Sequence, residues 1–393
     1  MVTTQLTEAS RILEQLAQVL DITPSQYRQA VERYKAVGSY LERVDSPLAP
    51  FKPTIFPQGS FRYGTVIKPI TDRDEFDVDT VCLLQLTRQQ TTQPQLKKMV
   101  GDWLKKDANY ARMLAEEKRR CWRLDYAEAT RFHLDILPSI PDRYQWLIDM
   151  EVPLEFARHA LCITDKETWS TDIDWPRSNP EGYALWFERQ MQIILGQRRQ
   201  LLAEQLQLEA KDVPLYEVKT PLQRSIQLLK RHRDFTLGDD EDKPISIIIT
   251  TLAALSYREE PDVYSALQNI LQNMTQYVLW KDGQWVICNP VNPLENFADR
   301  WKDSPRKATL FFNWVNQARL DIGNIVKRQG LFEVASAMKP IFGETMVNRA
   351  VNQFGEQYRQ LREEGSLRMQ KSTGILTTAS GIKVPNHTFH GRS

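Results

Sequence analysis

The run "FDVDTVCLL", Phe76 to Leu84, limits the fold more than any other stretch of this chain. Its apolar and β-branched residues read as a strand, yet two aspartates stand inside it, one residue apart. Side chains two apart on a strand leave the same face. Asp77 and Asp79 therefore present two carboxylates side by side. Their repulsion near neutral pH is costly unless a cation lies between them. Hard divalent ions such as Mg²⁺ take oxygen ligands and keep waters or substrate phosphates in their remaining positions. Two such ions can activate an attacking hydroxyl and stabilise a leaving pyrophosphate.

Two more features fit that chemistry. Asp135 in "RFHLDILPS" is a lone acid in a second strand-like run, and it completes an acidic triad. Upstream, "PQGSFRYGT" carries the pair Gly59-Ser60. Glycine lets the backbone approach a triphosphate closely, and a serine hydroxyl with nearby amides can hold phosphate oxygens. A D-x-D pair alone is more often a turn or strand-edge feature, and a Gly-Ser pair alone is a weaker signal still. The three together are far more specific.

The rest of the chain frames this set. Its 393 residues suffice for two domains or one two-lobed unit. The net charge of +1 offers no global basic field, so duplex DNA is not expected as a partner. The four cysteines form no C-x-x-C pair, which argues against structural zinc and fits a reducing cytoplasm. Charges interrupt the N-terminal apolar pattern, so a signal peptide is not expected there. No apolar run reaches the ~18 residues of a membrane span, so no membrane is expected either.

Periodicity predicts a helix over about Leu6–Leu20 and a second from Thr23-Pro24 to about Val44. Strands follow at "PTIFPQG", "DVDTVCLLQL", "CWRLDYA", "TRFHLDILPSI" and "ALCITDK", the third and fourth being neighbours joined by a turn. Long helical patterns begin near Gly182: "YALWFERQMQIILGQRRQLLAEQ", "TPLQRSIQLLKRHRDF" and a buried "KPISIIITTLAALSY". A hairpin is expected to turn at Asp282-Gly283, with helices at Pro305–Lys327 and Phe332–Gly365 after it. The Gly/Ser/Thr-rich end reads as an extended or mobile tail.

The triad with its Gly-Ser pair resembles the polymerase-β-type nucleotidyltransferase superfamily. More closely it resembles the cGAS/DncV-like nucleotidyltransferases of bacterial anti-phage (CBASS) signalling. The likeness extends through "HLDILPSIP", "SNPEGYALWF", "LLKRHRD" and "NPVNPLENFADRW", so it covers most of the chain. The resemblance implies an α+β fold with a mixed-sheet lobe, a helical C-terminal lobe and an active site in the cleft between them. The boundaries would be 1–180 for the nucleotidyltransferase core with its N-terminal helices, 181–370 for the helical lobe and 371–393 for the tail. It further implies template-independent synthesis of a cyclic oligonucleotide second messenger from NTPs. ATP and GTP are the expected substrates. A cyclic purine dinucleotide is the expected product, with a cyclic GMP-AMP isomer preferred over cyclic di-AMP. That product would activate an antiviral effector.

Carried over residue by residue, Asp77, Asp79 and Asp135 would bind two Mg²⁺ ions, for which Mn²⁺ could substitute. Gly59 and Ser60 would hold the donor triphosphate. Lys230 in "LLKRHRD" matches a lysine that contacts donor phosphates, and Ser246 in "KPISIIITT" a serine near them. Each has a plain alternative: a solvated basic helix face for Lys230, and a helix-start serine for Ser246. Arg62 and Lys68 either meet phosphate or are surface cations. Asn289–Asn296 either lines the cleft or makes a rigid turn. His133 reads as a core or supporting residue, and His387 and His390 fall in the tail. Two other functions stay open. One is an RNA-directed enzyme of the same superfamily, polyadenylating or CCA-adding. The other is a protein-binding component, with CBASS accessory proteins acting on or conjugated to the tail; Ser393 in place of a terminal glycine departs from the conjugated relatives.

Overall fold

The computed structural model describes residues 8–69, 75–126, 132–170, 175–328, 330–371, 376–378 and 380–385. Its contacts divide the chain into two units. One is Leu20–Leu320; the other joins Met1–Val19 to Asp321–Ser393. The first helix, Glu8–Val19, thus groups with the C-terminal residues, not with the sheet that follows it in sequence.

The larger unit holds a six-stranded mixed sheet, in which the D-x-D strand lies beside the central, Asp135-bearing strand. We number its strands β1 (Thr54–Pro57), β2 (Phe76–Leu83), β3 (Trp122–Tyr126), β4 (Phe132–Pro141), β5 (Leu161–Ile163) and β6 (Arg177–Ser178). β1 pairs antiparallel with β2, and β2 runs parallel to β4. β4 is long enough to serve two partners on its other edge: β3 pairs with its first half and β5 with its second, both antiparallel. The expected pairing of "CWRLDYA" with "TRFHLDILPSI" is borne out, while the turn proposed between them lies outside the described residues.

A parallel pair needs a crossover connection. Here the crossover includes helix Gln93–Leu104, opened by a Thr92/Gln95 capping box. Leu96, Val100 and Trp103 of that helix pack with Val78, Leu134, Ile136, Leu124 and Trp122 from one face of the sheet. Helix Pro24–Leu41, capped by Thr23 as its sequence suggested, adds Val37, Tyr40 and Leu41 to the same core. The other face keeps only a small apolar cluster, Val81, Leu137, Leu161 and Ile163, further along the same strands. Its nearer part is left to charge.

The helical part of this unit contains Pro180–Arg189, Gln192–Leu206, Pro221–Leu237, Ser246–Ser256 and Val263–Asn273. The single helix expected from Tyr183 to Gln205 is in fact two. The second begins at Gln192, and the Glu259 carboxylate accepts from the amides of Ile193 (3.0 Å) and Ile194 (3.1 Å). A cap supplied from so far along the chain leaves no local signal. The Asp282-Gly283 hairpin forms between Leu279–Lys281 and Gln284–Val286.

In the other unit, Glu8–Val19 packs along Glu344–Glu363, with Gln15 donating to Gln353 at 3.0 Å. The helix expected over Phe332–Gly365 is broken at Gly343, whose φ of 93° no helix admits. Part of the expected tail is ordered in a small sheet: Arg368–Met369 pairs with Leu376–Thr377 and with Ile382–Lys383. Arg11 donates to Tyr358 (2.5 Å) and to the Leu376 carbonyl (2.6 Å), tying this sheet to the first helix. His387 and His390 lie outside the described residues.

Candidate active site

Strand alternation places the site. In the register of β2, β4 and β3, Asp77 stands beside His133 and Asp125, and Asp79 stands beside Asp135 and Arg123. Their neighbours Val78, Leu134 and Leu124 go to the core. One sheet face thus carries a small lattice of charged groups in two rows. The threonine after the D-x-D pair fixes the register further, since Thr80 Oγ1 donates to the Asp135 carbonyl at 2.8 Å.

Gly59 sits directly over this lattice. β1 ends at Pro57, the Gln58 amide donates to the Asp79 carbonyl at 2.8 Å, and helix Gly59–Tyr63 begins at once. Gly59 has φ of 61°, and a Cβ there would stand 2.8 Å from Asp79 Oδ2. Only glycine fits both the backbone and the close approach. The Gly-Ser pair and the D-x-D pair, separated in sequence, are therefore one constructed surface.

The segment after this short helix is held from behind by one face of helix Pro221–Leu237. Gln223 donates to the Tyr63 carbonyl (2.9 Å), Gln227 to Val66 (2.8 Å) and Lys230 Nζ to Thr65 (3.0 Å). Arg231 donates to the carbonyls of Lys68 and Pro69. Lys219, just before the Thr220 cap, donates to Gly64 at 2.7 Å. The polar residues of this helix are mostly buried; Arg231 is 1% exposed. Such groups are costly to bury unpaired, and here backbone carbonyls pair Gln223, Gln227, Lys230 and the Arg231 Nη2, while Asp21 pairs Arg224.

Between these elements lies a cavity of about 440 Å³ whose lining includes Gly59, Ser60, Asp77, Asp79, Lys230 and Ser246. Six of the seven residues picked from sequence line one cavity. Asp135, the seventh, lies next to Asp79 in the sheet. Lys230 is buried, so it does not stand on a solvated basic face. Ser246 is the first residue of its helix and accepts from Arg233 at 3.1 Å. Lys68 lines the same cavity. Arg62 does not; it is paired with Glu181 (3.1 Å) and Glu188 (2.6 Å). Asn289 and Asn296 are spent on turn bonds: Asn289 donates to Glu295 and accepts from Val291, and Asn296 accepts from Ile287 and Ala298. Asn179 is a helix N-cap, accepting from Gly182 at 3.1 Å.

The electrostatics are those of crowded acids. Burial, then Asp135 and Asp77, push the Asp79 carboxyl up to about 7. Burial also raises Asp77, with Arg123 opposing it. On the opposite wall burial pushes the Lys230 ammonium down to about 8. A divalent cation would relieve the acid crowding, and the donor set, carboxylate oxygens only, suits a hard ion. The carboxylates are not gathered as a ready-made metal cluster, however; no group of three such ligands converges among the described residues. Arg123 is paired with two of these acids. It donates through Nε to Asp135 Oδ1 (2.7 Å) and through Nη2 to Asp135 Oδ2 (2.8 Å) and Asp77 Oδ1 (3.2 Å). His133, the other cation of the lattice when protonated, lies between Glu75 (2.7 Å) and Asp125 (2.9 Å). Sequence reading found the strand of Arg123 but not its register, and so missed the residue.

Comparison with known proteins bears on this geometry. Residues 53–138 match the family model of the cyclic GMP-AMP synthase DncV-like nucleotidyltransferase domain. A c-di-GMP synthase from Roseivirga ehrenbergii is 28% identical over 98% of this chain and 98% of its own length. The cyclic dinucleotide synthase CdnG of Bradyrhizobium diazoefficiens is 25% identical over 94% of this chain and 88% of its own. The solved structure of that CdnG, in complex with GTP, aligns with a TM-score of 0.68 at 23% identity, covering 88% of this chain and 99% of that one. The Vibrio cholerae DncV cyclic AMP-GMP synthase aligns with a TM-score of 0.52 at 15% identity, covering 87% and 88%. The structural matches carry the fold.

Proposed function

The chain belongs to the cGAS/DncV-like nucleotidyltransferases of the polymerase-β-type superfamily, and on that premise we propose that it joins two purine nucleoside triphosphates into a cyclic dinucleotide. The observation that carries this reading is Asp77 and Asp79 side by side under Gly59, with Asp135 at the matching position of β4 and Lys230 across the cavity. Guanine is the base we favour for at least one position, because the relatives include a c-di-GMP synthase and a CdnG solved with GTP.

In the proposed mechanism Ser60 and the Gly59 backbone take the donor triphosphate, and Lys230 and Ser246 face its phosphates from the other wall. Asp77, Asp79 and Asp135 would hold divalent cations. Bound there, Mg²⁺ would acidify the acceptor hydroxyl and neutralise the departing pyrophosphate. The sheet face fixes the acids relative to one another, and the Gln223–Arg231 helix face fixes the phosphate segment relative to the acids. Positioning of this kind supplies much of the rate in phosphoryl transfer. The linear product then turns over in the site, and a second transfer closes the ring. Released, it serves as a diffusible signal in antiviral defence, with accessory proteins acting through the chain's C-terminal end.

Purified protein incubated with all four NTPs and Mg²⁺ or Mn²⁺, followed by phosphatase and mass spectrometry, tests the reading. A phosphatase-resistant cyclic product is expected, absent from an Asp77→Ala/Asp79→Ala control. Its mass separates cyclic di-GMP from a GMP-AMP isomer. Nucleotides appearing instead on added RNA would replace this reading with an RNA-directed one.

A further inference from the structure

We propose that Arg123 is a positioning residue that occupies the cation place of the acidic triad, and that metal and nucleotide together must displace it before Asp135 can act. The inference rests on the metal-dependent reading above and extends it. Its basis is the fork of Arg123, which engages both oxygens of Asp135 and reaches Asp77. A guanidinium matches a carboxylate in this bidentate way and stays charged throughout the usable pH range. It neutralises the same oxygens that a divalent ion would take.

Two further observations argue that the contact is made to be broken. His133 already has Glu75 and Asp125 as partners, so it is not the counter-charge of Asp135. Arg123 is 23% exposed at the edge of the lattice, so its head can leave without opening the core, where Trp122 and Leu124 point. A metal ion alone must then compete with a tethered cation. A metal arriving with a triphosphate brings extra oxygen ligands, while the polyanion attracts the released guanidinium. The consequence is coupling: metal binds weakly by itself and tightly with nucleotide.

The test reads Mn²⁺ binding by the loss of the free-ion EPR signal, with and without a non-hydrolysable GTP analogue, on folded protein checked by thermal melting. Arg123→Met is expected to bind Mn²⁺ alone at least about tenfold more tightly than wild type, the equivalent of about 1.4 kcal/mol. Nucleotide should then add less in the variant than in wild type. Arg123→Lys, which keeps a charge but not the fork, should fall between them. Adding Asp135→Asn to Arg123→Met should remove the gain. Merely structural damage would weaken Mn²⁺ binding, never tighten it. Equal or weaker binding by Arg123→Met, with wild-type binding still lost in Asp77→Ala/Asp79→Ala, overturns the inference alone. Mn²⁺ binding indifferent to Asp77 and Asp79 overturns it together with the metal-dependent reading.

Discussion

The two faces of the central sheet come from the same three strands and obey opposite rules. On one, Val78, Leu134 and Leu124 line up across β2, β4 and β3 and are fully buried. On the other, one residue along each strand, Asp79, Asp135 and Arg123 line up in the same register. The first face gains from each neighbour it touches. The second holds three carboxylates together, a crowding that the Arg123 guanidinium offsets at Asp135 and Asp77 and leaves largest at Asp79. Alternation lets the apolar face hold the charged one in place. The site is thus strained where it acts and stable where it is anchored.

Cutting the apolar face should have the largest effect on stability and none on the chemistry. Leu134→Ala removes a fully buried side chain from the centre of the core, and such changes cost about 2–5 kcal/mol. A lower urea midpoint is expected, with unchanged turnover per folded molecule at low temperature. A variant as stable as wild type but inactive would mean that the faces are not separable. Cutting the charged face should do the reverse. Gly59→Ala puts a methyl 2.8 Å from Asp79 Oδ2 on a backbone with φ of 61°. The left-handed backbone costs ~1–2 kcal/mol, and a shift of the carboxylate by an ångström is expected to lower turnover by about 10²-fold. In an Asp79→Asn background the same change should lower turnover little further, because the carboxylate it displaces is already gone. Full additivity of the two losses would show that Gly59 acts elsewhere.

How far the sequence exposes this arrangement depends on how local each cause is. The acids, the Gly-Ser pair and Lys230 are legible because the chemistry demands rare residue types in an apolar setting. The Thr23 and Asp282-Gly283 signals are legible because caps and turns act over a few residues. Arg123 needs the register of β3 against β4, which no motif encodes. Gln223 and Gln227 look like ordinary polar helix residues until the carbonyls of Tyr63 and Val66 are set beside them. The helix break before Gln192 depends on Glu259, and the grouping of the first helix with the C-terminal residues depends on packing alone. Each of these is a long-range contact, invisible to periodicity.

The smallest predicted effect concerns the wall that faces the acids. Lys219 donates to the Gly64 carbonyl, and burial pushes its ammonium down to about 8; Asp21 opposes the shift and Arg224 adds to it. In the unfolded chain the same group titrates near 10.4. Between these values the unfolded chain binds a proton that the folded protein lacks, so stability rises with pH across that window. Below about 8 both states are charged and the folded one bears the full cost of burial. Lys230, also held near 8, adds a slope of the same sign. Wild-type urea midpoints should therefore climb from pH 7.5 toward 9.5 relative to Lys219→Met, which loses its share of the slope and keeps that of Lys230. An identical slope in both proteins would place the Lys219 charge in solvent. The wall would then be held by Gln223, Gln227, Lys230 and Arg231, and Lys230 alone would give it a pH-dependent stability.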